Sequence, residues 1–272
     1  MDNSSSISNE QVPISQALAA LPPGLDGLAP DWRVGLVSTD IGDGGVLRWP
    51  SGSVVPWVSA SDPDPADRLQ ALGNLGTNGS GIEDAIESAW LALQPAMLGP
   101  GGANEGFLRL AADLVVVVVL DEQDQSVVYQ PTPLLTPAEI ALALEALHGP
   151  ADAFRLIAVS GGTAGCDSAV GNAAPGPLLV DAVAAVGGDE LLICDPAWPT
   201  DLASSPAFAP NPPNTWTLSE SPVVGVLLVR VNDVPNTAWT YQPDPPRLVF
   251  PPGQGPPADA TLTATYPADD GC

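Results

Sequence analysis

An acidic residue followed at two-residue steps by two hydroxyls, Asp2, Ser4 and Ser6, stands just before a segment with helical periodicity. A third hydroxyl, Thr77, lies in the glycine-rich run Gly73-Asn74-Leu75-Gly76-Thr77-Asn78-Gly79-Ser80-Gly81, which also opens a helical segment. Asp121 follows directly on the most apolar strand-like run of the chain. Asp2, Ser4, Ser6, Thr77 and Asp121 together offer two carboxylates and three hydroxyls, all hard oxygen donors. Such a set suits Mg2+, with Mn2+ or Ca2+ as alternatives, and does not suit Zn2+ or Cu2+. Each piece alone has a bland explanation, because Asp and Ser also populate turns and helix N-caps.

Other chemistries find few residues to work with. Three Cys and one His nearly exclude zinc ligand sets and Cys-His or Ser-His catalytic sets. There is no Gly-x-Ser-x-Gly elbow, and the absence of Lys removes any P-loop. His148, between Leu147 and Gly149 at the end of a helical segment, reads as a partner of the helix dipole. The expected catalytic set is therefore empty, and the chain reads as a binding module and not an enzyme. Acidic residues outnumber basic ones 32 to 7, for a net charge of -25, which argues against nucleic acid or an anionic membrane as partner and favours cations. The longest purely apolar run, residues 114–120, has a buried strand's length and falls far short of a membrane span.

The elements that would position these residues alternate. Residues 10–21 carry helical spacing (Val12, Ile14, Leu18, Leu21) and are expected to stop at Pro22-Pro23-Gly24. Residues 32–39 read as a strand, and 42–65 as a loop with short edge strands at 46–49 and 54–58. Residues 82–93 read as an amphipathic helix with Ile82, Ile86, Ala89, Trp90 and Leu93 on one face, and 95–107 as a loop. The β-branched run 114–120 reads as a strand buried on both faces. A helix follows at 136–148, with Thr136 at the N-cap, Pro137 first and Glu139 third. A strand at 154–159, a helix at 177–186 and a short strand at 191–194 complete the pattern. This order implies an α/β fold, a doubly wound and mostly parallel sheet with helices on both faces. Ligands bind such sheets at the carboxyl ends of the strands, where the three loops fall. The expected organisation is an α/β domain at 1–200, a linker at 201–214 and a small antiparallel β appendage at 215–272. Cys166 and Cys194 follow or end consecutive strands at one sheet edge, so a disulfide is expected between them, with Cys272 left over.

The order of motifs, Asp2-Asn3-Ser4-Ser5-Ser6-Ile7 with Asn9-Glu10-Gln11, then Gly76-Thr77-Asn78-Gly79-Ser80-Gly81 before a helix, then an apolar strand ending in Asp121, resembles a von Willebrand factor type A domain. It is most similar to the secreted or lipoprotein type of Gram-negative bacteria, myxobacteria especially. The resemblance implies that Asp2, Ser4, Ser6, Thr77 and Asp121 surround a divalent cation at a metal-ion-dependent adhesion site. It implies a non-enzymatic adhesion module in which a carboxylate on a protein or surface polymer completes the coordination. The place would be extracellular, periplasmic or outer-membrane-anchored. The alternatives are a structural envelope module without metal and, further off, a Mg2+-dependent hydrolase. Ser5 stands where the family has Gly, so a differently turned backbone is expected there. Family members carry an apolar strand just before the first Asp. The expectation is that this central strand is missing ahead of Met1, or that residues 223–231 take its slot.

Overall fold

The computed structural model describes residues 1–28, 31–109, 112–126, 136–148, 154–208, 215–223, 226–243, 246–251, 255–256 and 260–267. The chain divides into two compact units, the first comprising Met1–Gly149 with Ala153–Pro210 and the second holding Asn211–Cys272. The first contains, in chain order, α1 (Gln11–Leu28), β1 (Arg33–Val34), β2 (Val58–Ser59), α2 (Pro65–Leu72), α3 (Ala85–Ala92), α4 (Pro95–Leu98), β3 (Leu114–Val119), α5 (Pro137–His148), β4 (Phe154–Ser160), β5 (Cys166–Ser168), β6 (Gly171–Ala173), α6 (Pro177–Ala185), β7 (Asp189–Leu192) and α7 (Trp198–Ala203).

The valine strand β3 pairs in parallel with β4, Leu114 opposite Phe154 through Val119 opposite Val159, and β4 pairs in parallel with β7. Side chains alternate across a strand, and both sets are apolar here. Val115, Val117, Val119, Ile157 and Val159 pack into one cluster with Ile14, Ala17, Leu21 and Leu25 of α1, Leu69 of α2 and Trp198 and Leu202 of α7. Leu114, Val116, Val118, Leu156 and Ala158 pack into another with Ile86 of α3, Ile140 and Leu144 of α5 and Leu179 and Val183 of α6. The expected mixed α/β architecture with a parallel sheet is therefore present, with helices on both faces. The Thr136 cap also forms as the sequence indicates. Glu139 N–H donates to Thr136 Oγ1 at 3.3 Å, and Thr136 N–H donates to Glu139 Oε2 at 2.7 Å.

The amino-terminal residues join β3 to the segment after β1. The Met1 ammonium donates to Val37 O at 3.0 Å, Thr39 N–H to Met1 O at 3.1 Å, and Asp2 N–H to Val119 O at 3.0 Å. Met1 and Asp2 thus lie in extended, parallel register between the two, at the carboxyl end of β3. The described strand within 223–231 pairs in its own sheet and not with β3. This strand, β9 (Leu228–Val231 of the second unit, with β8 at Thr215–Thr217 before it), pairs antiparallel with β10 (Val234–Asn236) and β13 (Leu262–Thr265).

Other boundaries differ from expectation for tertiary reasons. Helix α1 runs through Pro22 and Pro23 to Leu28 instead of stopping there, since Leu21, Pro22 and Leu25 are all buried. At Gly24 a Cβ would collide with the carbonyl of Ala203, so α7 lies directly against this turn. Helix α7 occupies the start of the stretch expected to be a linker, with Trp198 and Leu202 buried in the first unit's core, and Pro206–Phe208 adds a 3-10 turn. Residues 209–214 of that expected linker lie outside the described residues. Helix α3 begins three residues later than expected, and Ile82 is 57% exposed instead of on the packed face. The first free N–H groups of α3 are taken by a distant loop, with Ile86 N–H donating to Asp124 Oδ2 at 3.1 Å and Glu87 N–H to Ser126 Oγ at 2.9 Å.

The second unit is antiparallel β, as expected. Its sheets are β10-β9-β13 and β8 with β12 (Pro246–Val249) and β11 (Thr240–Pro243). Leu218, Val229, Leu248 and Phe250 form its core, with the Trp216 and Phe250 rings 4.9 Å apart. Val231 pairs with Val234 across Asn232-Asp233, and both turn residues have positive φ, as a tight two-residue hairpin requires. No described helix in either unit is long and apolar enough to cross a membrane.

Candidate functional site

Asp2 is held by its backbone to the end of β3, and its side chain turns back on its own loop. Oδ1 accepts the N–H of Ser4 at 2.7 Å. Ser4 Oγ lies 2.6 Å from Ser6 Oγ, and Ser6 Oγ donates to Asp121 Oδ1 at 3.1 Å. Four of the five expected residues, from two loops 115 residues apart, are therefore linked in one continuous chain at the carboxyl end of β3. Ser5, expected to be differently turned, adopts ordinary right-handed backbone with φ -74°, so no strain arises from its side chain. Thr77 is half-buried in its loop, and no described hydrogen bond joins it to the other four. Its loop is nevertheless pinned beside them, because Gly79 N–H donates to Asn3 O at 2.7 Å and a Cβ on Gly79 would collide with the Asn3 side chain.

The electrostatics are mainly negative, with the buried Met1 ammonium as a counter-charge to Asp2 and Glu83. Asp2 is fully buried and Asp121 is 3% exposed. Asp2 Oδ2 has no hydrogen-bond donor. Burial, first, and then the adjoining Asp2 carboxylate push the Asp121 pKa up to about 8, against a weaker pull from the Ser6 hydroxyl, and Glu10 adds further negative charge. The described ion pairs, Arg48–Asp43, Arg68–Asp62 and Arg109–Asp31, all lie elsewhere, so none neutralises these carboxylates.

Sequence reasoning did not single out two further buried acids. Glu83 is fully buried, accepts a hydrogen bond from Thr39 Oγ1 and leaves Oε1 without a donor. Burial, with repulsion from Asp2 and Glu122, raises its pKa to about 7. Glu10 is also fully buried, with Oε1 accepting Asn172 N–H at 2.8 Å and Oε2 unpaired. Glu10 entered the sequence reading only within Asn9-Glu10-Gln11 of the resemblance, with no role in the site. Glu83 carries no local signal, since its burial depends on elements far apart in the chain.

The donors present fit a hard cation. An orphaned carboxylate oxygen, a second carboxylate raised by facing it, and neutral hydroxyls between them are short of positive charge and rich in oxygen. Among the described residues no three His, Cys, Asp or Glu side chains are gathered as a metal cluster by themselves. Any ion here would therefore rely on the serine hydroxyls as well as the carboxylates. No family model, curated protein or solved structure matches the chain.

The cysteine pair closes the same end of the sheet. Cys166 at the start of β5 and Cys194 just after β7 form a disulfide, with Cα atoms 6.0 Å apart. Ser168 Oγ adds a hydrogen bond to Cys194 O at 2.7 Å. Cys272 lies outside the described residues.

Proposed function

We propose that this chain is a non-enzymatic adhesion module of the von Willebrand factor A type, with a doubly wound sheet and a divalent-cation site made of Asp2, Ser4, Ser6, Thr77 and Asp121. The observation that carries this reading is the hydrogen-bonded convergence of Asp2, Ser4, Ser6 and Asp121 around a buried carboxylate oxygen that has no donor. Mg2+ is the leading ion, with Mn2+ or Ca2+ fitting the same donors. When bound, the cation supplies a positive charge that these ligands only partly neutralise, and a carboxylate on a protein or surface polymer completes its coordination. Asp2 and Asp121 orient and charge the site, while Ser4, Ser6 and Thr77 add neutral oxygens that leave the ion electrophilic. An extracellular, periplasmic or outer-membrane-anchored location accords with the disulfide, since such bonds persist mainly in oxidising compartments.

Calorimetric titration of the chelator-treated full chain with MgCl2 tests the reading. One saturable site in the wild type that is lost in Asp2→Asn is expected. No uptake by the wild type overturns it in favour of a structural module. Turnover of phosphate-ester or ester substrates in Mg2+ that is lost in Asp2→Asn would assign the same residues to a hydrolase instead.

A further inference from the structure

Glu10 stands one turn beyond Ser6, where the 3-10 turn Ser6–Asn9 passes into α1. It is fully buried, yet only half of its carboxylate is paired, Oε1 with Asn172 N–H at 2.8 Å. Asn172 lies in β6, and two residues on, Ala174 donates its N–H to the backbone oxygen of Asp121 at 2.8 Å. Alternate N–H groups of an extended chain point the same way, so the Glu10 carboxylate and the Asp121 backbone dock on one edge of this hairpin, about 7 Å apart. Ser6 closes the triangle through its bond to Asp121 Oδ1. Gly171 permits the close approach, because a Cβ there would lie 2.7 Å from Glu10 Oε1. The hairpin in turn is fixed at its other strand by the Cys166–Cys194 disulfide. A buried, half-paired carboxylate close enough to Asp121 to repel it is costly unless a positive charge shares the space.

We propose that Glu10 is an outer carboxylate of the cation site, tied to the same β5–β6 hairpin as Asp121 without itself ligating the ion, and that its negative charge strengthens binding of hard divalent cations. This rests on the reading of Asp2, Ser4, Ser6 and Asp121 as that site. The role differs from simple support of the hairpin. Gln in place of Glu keeps an oxygen for the Asn172 N–H and removes only the charge.

The test is calorimetric titration of the full chain with Mg2+ alone and Ca2+ alone, in wild type, Glu10→Gln, Glu10→Asp and Asp2→Asn. Each protein's thermal midpoint in chelator is measured beside it. Glu10→Gln is expected to weaken both ions about tenfold or more, the range for groups that buttress metal sites. Its metal-free midpoint should be unchanged or raised, because a buried unpaired charge has gone. Glu10→Asp should retain more affinity than Glu10→Gln. Wild-type affinity in Glu10→Gln, or a loss of affinity matched by a fall in metal-free stability, overturns the inference. If the wild type binds and Asp2→Asn does not while Glu10→Gln binds normally, only the role of Glu10 fails. If the wild type takes up no cation, the site itself fails and this inference with it.

Discussion

At Asp121 and Glu83 the folded chain holds protons that the unfolded chain would release. Burial raises these carboxyls from 3.8 to about 8 and from 4.5 to about 7. A group whose folded pKa lies above its unfolded value stabilises fully below the unfolded pKa, and that stabilisation is lost as pH rises through the folded pKa. The Met1 ammonium, lowered by burial from 8.0 to about 6, acts in the opposite sense between those values. Two carboxyls outweigh one amine, and below the amine's range they act alone. The thermal midpoint of chelator-treated protein should therefore fall between about pH 5 and pH 7. Asp121→Asn should flatten the fall, and Mg2+ should do the same in the wild type by replacing the protons. A midpoint that rises over this interval, or an unchanged slope in Asp121→Asn, would contradict the described burial. At this scale the sequence conveyed donor types and their spacing, enough to place Asp2, Ser4, Ser6 and Asp121 in one cluster. It did not convey which oxygens are left without partners at Glu10 and Glu83, because that depends on contacts such as Glu10 with Asn172, 162 residues away.

Among the elements, the β5–β6 hairpin is tied to Glu10 and, one residue past its end, to Asp121, and it is the least visible in the sequence. Its strands are three residues each and contain Gly171, Asn172, Asp167 and Ser168, residues that individually favour turns. Its order depends on long-range anchors, the disulfide to Cys194 and the bonds to Glu10 and Asp121. Replacing both Cys166 and Cys194 with Ser should cost about 3–4 kcal/mol in urea unfolding, from the chain-entropy value for a loop of this length. A cost under about 1 kcal/mol would mean that the bond constrains the unfolded chain little. Helix α1 fails the sequence reading differently, since Pro22 and Pro23 do break local hydrogen bonding but Leu25 and Gly24 dock against the core and α7. By contrast β3 and the start of α5 are legible, because an unbroken β-branched run and a Thr-x-x-Glu box carry their reasons locally. Thr136→Ala should accordingly lower stability by about 1 kcal/mol, measurable by the same urea unfolding, while a neutral change would show that the box contributes nothing.

Across the whole molecule, 32 acidic and 7 basic residues set a field that repels itself and gathers cations. Raising NaCl in chelator should raise the thermal midpoint by screening this repulsion. At matched ionic strength Mg2+ should raise it further, and only with Asp2 intact. An equal gain from both salts would reduce the cation effect to screening. The same field works against polyacidic partners, so the ligand of the proposed site would offer one exposed carboxylate on an otherwise uncharged or basic surface. In the proposed reading, a single ion held where the Asp2 and Asp121 loops meet would join field, fold and site. Anomalous diffraction from crystals of the full chain grown with MnCl2 locates such an ion directly. One strong peak should lie in direct coordination, about 2.0–2.5 Å, of Ser4 and Ser6 Oγ. Asp2, Asp121 and Thr77 should reach it directly or through one water. A peak elsewhere with this cluster empty, or Thr77 facing away from it, would contradict the account.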